Sequence, residues 1–228
     1  MSARAKNWDH HVIEAEQLAD GDGFRSLRDR IIELSELSGD EFVADIGAGT
    51  GLLSLPVAHR ARTVLAVDIS PAMCDRVRAK AQAAGLHNVF TMVASATRLS
   101  LNDGSVDVAV SNYCFHHLSD ADKERALAEL FRVLRPGGRL VFADMMFRVG
   151  VVEARDRRVI GAKVGAMVRK GPAGLLRLAK NAGRFAAGRW EQPARADWWE
   201  GALARQGFVD VKVGVLDHEG GLASATRP

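Results

Sequence analysis

The segment VADIGAGTGLL, residues 43–53, places an acidic residue and three alternating glycines at the end of an apolar run. Asp45 precedes the first glycine, and Gly47, Gly49 and Gly51 form a G-x-G-x-G pattern. Glycine turns after a β-strand hold nucleotide-like ligands because the backbone can approach the ligand closely. One interpretation of this loop is a redox enzyme, and the other is a methyl-transfer enzyme.

The position after Gly51 separates the two interpretations. A nicotinamide-binding loop follows G-x-G-x-x-G, where the third glycine lets the helix pack closely on the strand. Leu52 occupies that position here. The charge of Asp45 would repel a pyrophosphate but attract a cationic amino group. The loop therefore favours a ligand without phosphate.

A second acidic residue, Asp68, closes the apolar run TVLAVDI seventeen residues after Gly51. A carboxylate at this spacing suits two hydrogen bonds from ribose hydroxyls. Both classes of nucleotide-binding protein use such a residue, so Asp68 supports a nucleoside ligand without choosing between them.

The stretch SNYCFHHLSD, residues 111–120, follows a fourth apolar run and carries the groups best suited to proton transfer. Asn112 offers an amide, while Tyr113, His116 and His117 can exchange protons or form hydrogen bonds. Adjacent histidines face different ways, so at most one serves as a base. In the alternative interpretation, both only orient the loop or pack against the next helix.

Short apolar runs alternate with helical stretches from residue 42 to residue 147, a pattern typical of βαβ units around a parallel sheet. Residues 13–37 have helical spacing, and 207–217 alternate like a hairpin strand at a sheet edge. Ser70-Pro71 predicts a helix start, and Pro136-Gly137-Gly138 a turn before a strand. The predicted fold class is α/β, doubly wound.

The first strand, Asp45 and the G-x-G-x-G loop resemble the first motif of class I S-adenosylmethionine-dependent methyltransferases. The N-x-x-x-H-H-L stretch at 112–118 is similar to the ubiquinone and menaquinone type, and LRPGGRLVFADM at 134–145 resembles a later motif. The resemblance covers about residues 40–147. It implies a Rossmann-like, seven-stranded, mostly parallel sheet, S-adenosylmethionine as cofactor, and in-line methyl transfer to a small-molecule or lipid-like acceptor.

The resemblance also implies which residues contact the cofactor. The positions that match the family's motifs are Asp45, Gly47, Ala48, Gly49, Gly51, Asp68, Ile69, Ser95, Ala96 and Asn112. Ser95 departs from the pattern, because the family often has an aspartate there to accept the adenine amino group. The candidates for acid–base chemistry are Tyr113, His116 and His117, and no metal site is predicted.

The sequence predicts one domain over residues 1–228. Its parts are an N-terminal helical cap (1–39), a cofactor-binding core (40–147), a basic helical lid insertion (148–196), and a final helix with a C-terminal hairpin (197–228). In proteins that the chain resembles, an insertion equivalent to 148–196 covers the acceptor side of the pocket.

Charge is distributed unevenly along the chain. Residues 148–190 contain eleven Lys/Arg and two acids, a net charge of +9, whereas the remaining 20 Lys/Arg and 26 acids give −6. A basic amphipathic segment suits an anionic membrane surface. Nucleic acid is disfavoured because aromatic residues are missing between Arg148 and Gly183. A cover packed on the sheet, or a site for RNA or an acidic soluble substrate, are the other interpretations.

The composition sets the remaining expectations. The two cysteines, Cys74 and Cys114, lie forty residues apart without metal-ligand spacing, which predicts reduced thiols. The first residues lack the apolar core of a secretion signal, so we expect a cytoplasmic protein, peripheral at the inner membrane face if the basic segment binds lipid. The alternatives to a methyltransferase are an NAD(P)-dependent oxidoreductase and a noncatalytic S-adenosylmethionine-binding protein.

Overall fold

A computed structural model of the chain describes residues 8–19, 21–147, 154–186 and 192–228. The described residues form a seven-stranded sheet in the order β3-β2-β1-β4-β5-β7-β6. Neighbouring strands from β3 to β5 are parallel, and β7 is antiparallel to both β5 and β6. The doubly wound, mostly parallel sheet predicted from the alternating pattern is confirmed, as is the edge position of the hairpin strand.

The strands β1 to β7 are, in chain order, Phe42–Ile46, Thr63–Asp68, Val89–Val93, Val106–Asn112, Leu134–Met145, Val209–Val215 and Gly220–Thr226. The α-helices α1 to α8 are Val12–Ala19, Asp22–Leu34, Ser54–Ala58, Pro71–Ala83, Asp120–Val133, Ala154–Val168, Gly171–Ala186 and Ala196–Gln206. Two short 3₁₀ helices occupy Trp8–His11 and Phe115–His117.

The sheet is buried on both faces, which explains why its central strands are continuous apolar runs. Phe142 and Trp199 belong to the larger apolar cluster, which packs β4 and β5 against α5 and α8. Ile31 of α2 and Val57 of α3 belong to a second cluster that includes alternate residues of β1, β4 and β5. These two layers fix the sheet rigidly, so the residues at its carboxyl edge are held in place.

Local signals in the sequence mark most element boundaries. The Ser70 hydroxyl accepts a hydrogen bond from the Met73 backbone N–H, and Pro71 begins α4, as predicted. The predicted turn at 136–138 is instead a register shift inside β5, because Leu134 already pairs with Val106. The predicted single helix over 13–37 is two helices, α1 and α2.

The predicted lid insertion contains α6 and α7, and its remaining segments at 148–153 and 187–191 lie outside the described residues, as does the start of the chain at 1–7. Among the residues that the structure describes, no helix is long and apolar enough to span a bilayer.

Candidate functional site

The glycine loop leaves β1 and turns beneath the carboxyl end of β2. The backbone N–H groups of Gly47 and Ala48 both donate to the Val67 carbonyl, at 2.8 and 3.0 Å. All three glycines have positive φ, a conformation that costs other residues about 1 to 2 kcal/mol. The loop is thus tied to two neighbouring parallel strands at the edge where α/β proteins bind ligands.

Two of the glycines serve different purposes. A Cβ at Gly47 would lie 2.3 Å from Cys114 Sγ, so this glycine is required by packing. A Cβ at Gly49 would meet nothing within 4 Å, although its backbone has φ +52°. Gly49 therefore leaves backbone open to a ligand.

Asp68 lies at the end of β2 and binds the loop. Its Oδ2 accepts a hydrogen bond from the Gly49 N–H and its Oδ1 accepts one from the Ser70 N–H, both at 2.9 Å. Burial raises the pKa of Asp68 above its usual value, although these hydrogen bonds oppose the shift. The carboxylate is oriented by backbone groups and has lone pairs left for a ligand.

We expect Asp68→Asn to weaken binding of S-adenosylhomocysteine, a nucleoside probe, by about 1 to 3 kcal/mol. An amide cannot accept from both backbone N–H groups, so the ligand contact and the loop geometry are both impaired. Calorimetric titration measures the loss, with Asp75→Asn on exposed α4 as the control. Equal affinity of the two variants would assign Asp68 a role in the loop only.

The affinity of the wild-type protein should also depend on pH. Because burial raises the pKa of Asp68, this affinity should fall on acidification at a higher pH than an ordinary carboxyl group would cause.

Asp45 is 1% exposed in the middle of the site. Its Oδ2 accepts a hydrogen bond from the Ser54 hydroxyl at 2.5 Å. Burial raises the pKa of Asp45 to about 7, with a further contribution from the negative charge of Asp68. Near neutral pH this carboxyl group is poised between its neutral and charged forms.

This shift predicts a pH-dependent stability. The pKa of Asp45 in the folded chain, about 7, is higher than the value of 3.8 expected for the unfolded chain. Its favourable contribution is therefore complete below about pH 4 and is lost as the pH rises through 7. Between pH 5 and 8 we expect this group to lower the free energy of unfolding by about 2 to 3 kcal/mol.

Asp45→Asn should remove that loss, because the amide has no charge to bury. Urea unfolding of both proteins at pH 5 and pH 8 measures the difference. Parallel pH profiles for wild type and variant would show that Asp45 does not titrate in this range.

Acidic side chains act on the Cys114 thiol, which lies directly against Gly47. Burial raises the pKa of this thiol, and the negative charges of Asp144, Asp68 and Asp45 raise it further. Both cysteines are free, and burial raises the pKa of the Cys74 thiol as well. Acidic groups beside the loop suit a cationic ligand better than a pyrophosphate.

His116 and Asp144 form a buried pair next to the loop. His116 Nδ1 lies 2.6 Å from Asp144 Oδ1, and both side chains are less than 5% exposed. Asp144 Oδ2 also accepts the backbone N–H groups of Phe115 and His116, at 2.6 and 3.1 Å. A carboxylate only accepts hydrogen bonds, so Nδ1 is the ring nitrogen that donates to Asp144, and Nε2 is the one left for another partner.

An aromatic row extends from this pair. The His116 ring centroid lies 3.8 Å from that of His117 and 5.8 Å from that of Tyr113. The His117 ring contacts Trp8 at 4.5 Å, and the Tyr113 ring contacts Phe24 at 4.8 Å. The N-terminal helices and the loop after β4 therefore meet at the site.

The three predicted acid–base candidates are thus brought together but differ in environment. His116 is buried, whereas His117 is exposed. Tyr113 has φ +55°, a strained backbone conformation that functional sites often contain. Burial, together with the charges of Glu219 and Asp144, raises the pKa of Tyr113, so its phenol stays protonated. His116 is the best placed of the three to accept a proton.

The remaining predicted contacts lie around the loop. Ile69 is 53% exposed beside Asp68 and offers an apolar surface. Ser95 Oγ lies 2.8 Å from Thr97 Oγ1 and accepts the Thr97 N–H, with half-buried Ala96 between them. Asn112 Oδ1 is buried, and the described residues supply no hydrogen-bond partner for it.

Two contributors were missed by the sequence analysis. Asp144 lies in the run RLVFADMMF, to which no chemistry was assigned, yet an acid inside an apolar strand is itself a signal. Asp9 accepts a hydrogen bond from the Ser70 hydroxyl at 2.5 Å and so connects the first 3₁₀ helix to the end of β2. Nothing in the sequence pattern indicates that contact, because 61 residues separate its partners.

The sequence of the chain is similar to those of known proteins. Residues 43–138 match the family described as "Methyltransferase domain". A demethylmenaquinone methyltransferase from Thermus thermophilus is 39% identical over 119 residues, covering 51% of this chain and 53% of the relative. An aklanonic acid methyltransferase from Streptomyces sp. strain C5 is 33% identical over 130 residues, covering 56% and 58%. The chain spans about half the length of the curated relatives it matches.

A solved structure extends the similarity to the whole fold. A SAM-dependent methyltransferase from Aquifex aeolicus superposes with a TM-score of 0.67 at 18% identity, covering 95% of this chain and 98% of that one. At this identity the likeness shows that the two chains share a fold.

Proposed function

We propose, from the match of residues 43–138 to the methyltransferase domain family, that the chain transfers a methyl group from S-adenosylmethionine to an acceptor that must lose a proton. The observation that carries the proposal is the open backbone at Gly49, whose N–H donates to the Asp68 carboxylate at 2.9 Å. The negative charge of this carboxylate and the open space at Gly49 suit a ligand that is cationic and contains no phosphate.

The residues around the loop fit this cofactor. Asp68 would accept hydrogen bonds from the ribose hydroxyls, because two backbone N–H groups already hold its carboxylate in place. Ile69 and Ala96 would contact the adenine ring, with Ser95 at its amino group. The orphaned Oδ1 of Asn112 would accept a hydrogen bond from the ammonium group, to which Asp45 would add its charge.

When bound, S-adenosylmethionine supplies a methyl group on a cationic sulfur, and the leaving group is neutral. The protein then has to position the nucleophile, exclude water and remove a proton where the acceptor carries one. Trp8, Phe24 and Tyr113 provide apolar ring surface for the second of these tasks.

The His116 and Asp144 pair supports an acceptor with an acidic O–H or C–H group. His116 Nε2 would take the proton, and the Asp144 carboxylate would stabilise the imidazolium that forms. The names of the two curated relatives refer to a quinone and to an acid, and both are consistent with this class. We propose an aromatic small molecule or lipid-like quinone precursor as acceptor.

Thermal shift with S-adenosylhomocysteine and with NADH tests the cofactor. We expect stabilisation by the first only, and the opposite result would establish the oxidoreductase alternative.

Methyl transfer is then measured with radiolabelled S-adenosylmethionine, using demethylmenaquinone, aklanonic acid and fractions of cell extract as acceptors. Cofactor binding without transfer to any of them would favour a noncatalytic binding protein.

A further inference from the structure

Helices α6 and α7 form a hairpin, defined here as residues 154–186, that packs chiefly on itself. The two helices contact each other more extensively than either contacts any other described helix or strand. At the turn that joins them, a Cβ at Gly174 would lie 1.8 Å from the Met167 carbonyl oxygen. Many of the described side chains of both helices remain exposed.

The described residues show one anchor near the start of the hairpin and another beyond its end. Near its start, the Arg155 guanidinium donates hydrogen bonds to four backbone carbonyls, those of Met146, Leu216, His218 and Gly220. Beyond its end, the Gln192 N–H donates to the His116 carbonyl at 2.7 Å. The buried Lys123 ammonium donates to the Gln192 carbonyl at 2.6 Å. Both anchors lie next to the His116 and Asp144 pair.

Both helices of the hairpin carry exposed aliphatic side chains. Val164 and Val168 of α6 are 42% and 50% exposed, and Leu175 and Leu176 of α7 are 54% and 73% exposed. Val164 and Val168 are four residues apart, so they share one side of α6. Four exposed large aliphatic side chains on one hairpin indicate a binding surface.

Cations flank these aliphatic side chains on both helices. Arg158, Arg169, Lys170, Arg177 and Lys180 are all exposed. In the described part of the chain, no carboxylate forms an ion pair with any of these five. The sequence contains no acid from Arg157 to Trp190, so the positive charge of the hairpin is uncompensated locally.

We propose that the α6–α7 hairpin docks on an anionic lipid bilayer surface. The exposed valines and leucines enter the boundary between headgroups and acyl chains, while the arginines and lysines bind lipid phosphates. Because both anchors of the hairpin adjoin the His116 and Asp144 pair, docking places that side of the molecule toward the membrane. The inference concerns the hairpin itself and holds whether or not the proposed reaction is correct.

Co-sedimentation of the full chain with vesicles tests the proposal. We expect binding to phosphatidylcholine vesicles that contain phosphatidylglycerol, and none to pure phosphatidylcholine. Binding should weaken as salt rises above about 0.15 M, where the screening length falls below about 8 Å. Failure of the wild-type protein to bind anionic vesicles at low salt would overturn the proposal.

Two sets of substitutions separate this surface from general charge. Arg169, Lys170, Arg177 and Lys180→Gln should lower the vesicle partition coefficient by about 100-fold or more. The matched control replaces four exposed cations elsewhere, Arg30, Arg60, Arg125 and Lys212→Gln, and should retain binding. Equal losses in the two variants would mean that only net charge matters, which contradicts a docking surface.

The apolar component distinguishes lipid from other partners. Leu175→Ser with Leu176→Ser should reduce vesicle binding by about tenfold while leaving binding to single-stranded RNA unchanged. Tight RNA binding with no effect of the leucines on vesicles would assign the hairpin to nucleic acid. A dimer that the leucine variant dissociates, without vesicle binding, would assign it to a second copy of the chain.

Discussion

Replacing Gly49 with valine should abolish cofactor binding, with a loss of affinity of about 100-fold or more. The branched side chain would fill the space that is empty within 4 Å of this position and would cover the backbone that the ligand must approach. It would also disturb the N–H that donates to Asp68. Calorimetric titration with S-adenosylhomocysteine measures the effect.

Gly85→Val is the matched control for Gly49→Val. Gly85 also has positive φ, +67°, and nothing within 4 Å of its Cβ position, but it follows α4 away from the loop. Both substitutions therefore impose backbone strain of about 1 to 3 kcal/mol, and only one of them obstructs the site. If the two folded variants bind the ligand equally well, the glycine loop is not the cofactor site.

Replacing His116 with asparagine should lower kcat for a proton-bearing acceptor by about 10² to 10⁴, the range for loss of a general base. The asparagine amide can still donate to Asp144, as the ring Nδ1–H does, but it has no group equivalent to Nε2. Affinity for S-adenosylhomocysteine should stay within about threefold of wild type, because the cofactor contacts lie elsewhere.

The neighbouring His117→Asn serves as the control, since His117 is exposed while His116 is buried. We expect its kcat to change by less than about tenfold. A loss of less than about tenfold in His116→Asn would show that His116 only orients the loop.

The fold and the position of the glycine loop beside Asp68 were predictable because their signals are local. The apolar run ending at Asp45, the glycines after it and Asp68 at the end of the next run follow the geometry of consecutive parallel strands. Neighbouring parallel strands end at one edge of the sheet. Alternation of strands and helices was enough to place these residues together.

The arrangement around His116 was less predictable because its contacts join distant parts of the chain. The bond from His116 to Asp144 spans 28 residues, and the sequence showed two adjacent histidines without indicating which is buried. The contact of Trp8 with His117 depends on how the first helices pack. The turn expected at 136–138 became part of β5 because pairing of Leu134 with Val106 extends the ladder past the glycines.

The position of β7 between β5 and β6 has a consequence for the order of folding. As the chain is synthesised, β1 to β5 and their helices can assemble first, because each of these strands pairs with one already made. Strand β6 has no partner until β7 arrives and pairs with it and with β5. Three of the four carbonyls that hold Arg155 also belong to residues 216–220, at the turn between the last two strands. The Arg155 anchor of the α6–α7 hairpin therefore forms late in folding, in the same step that closes the sheet.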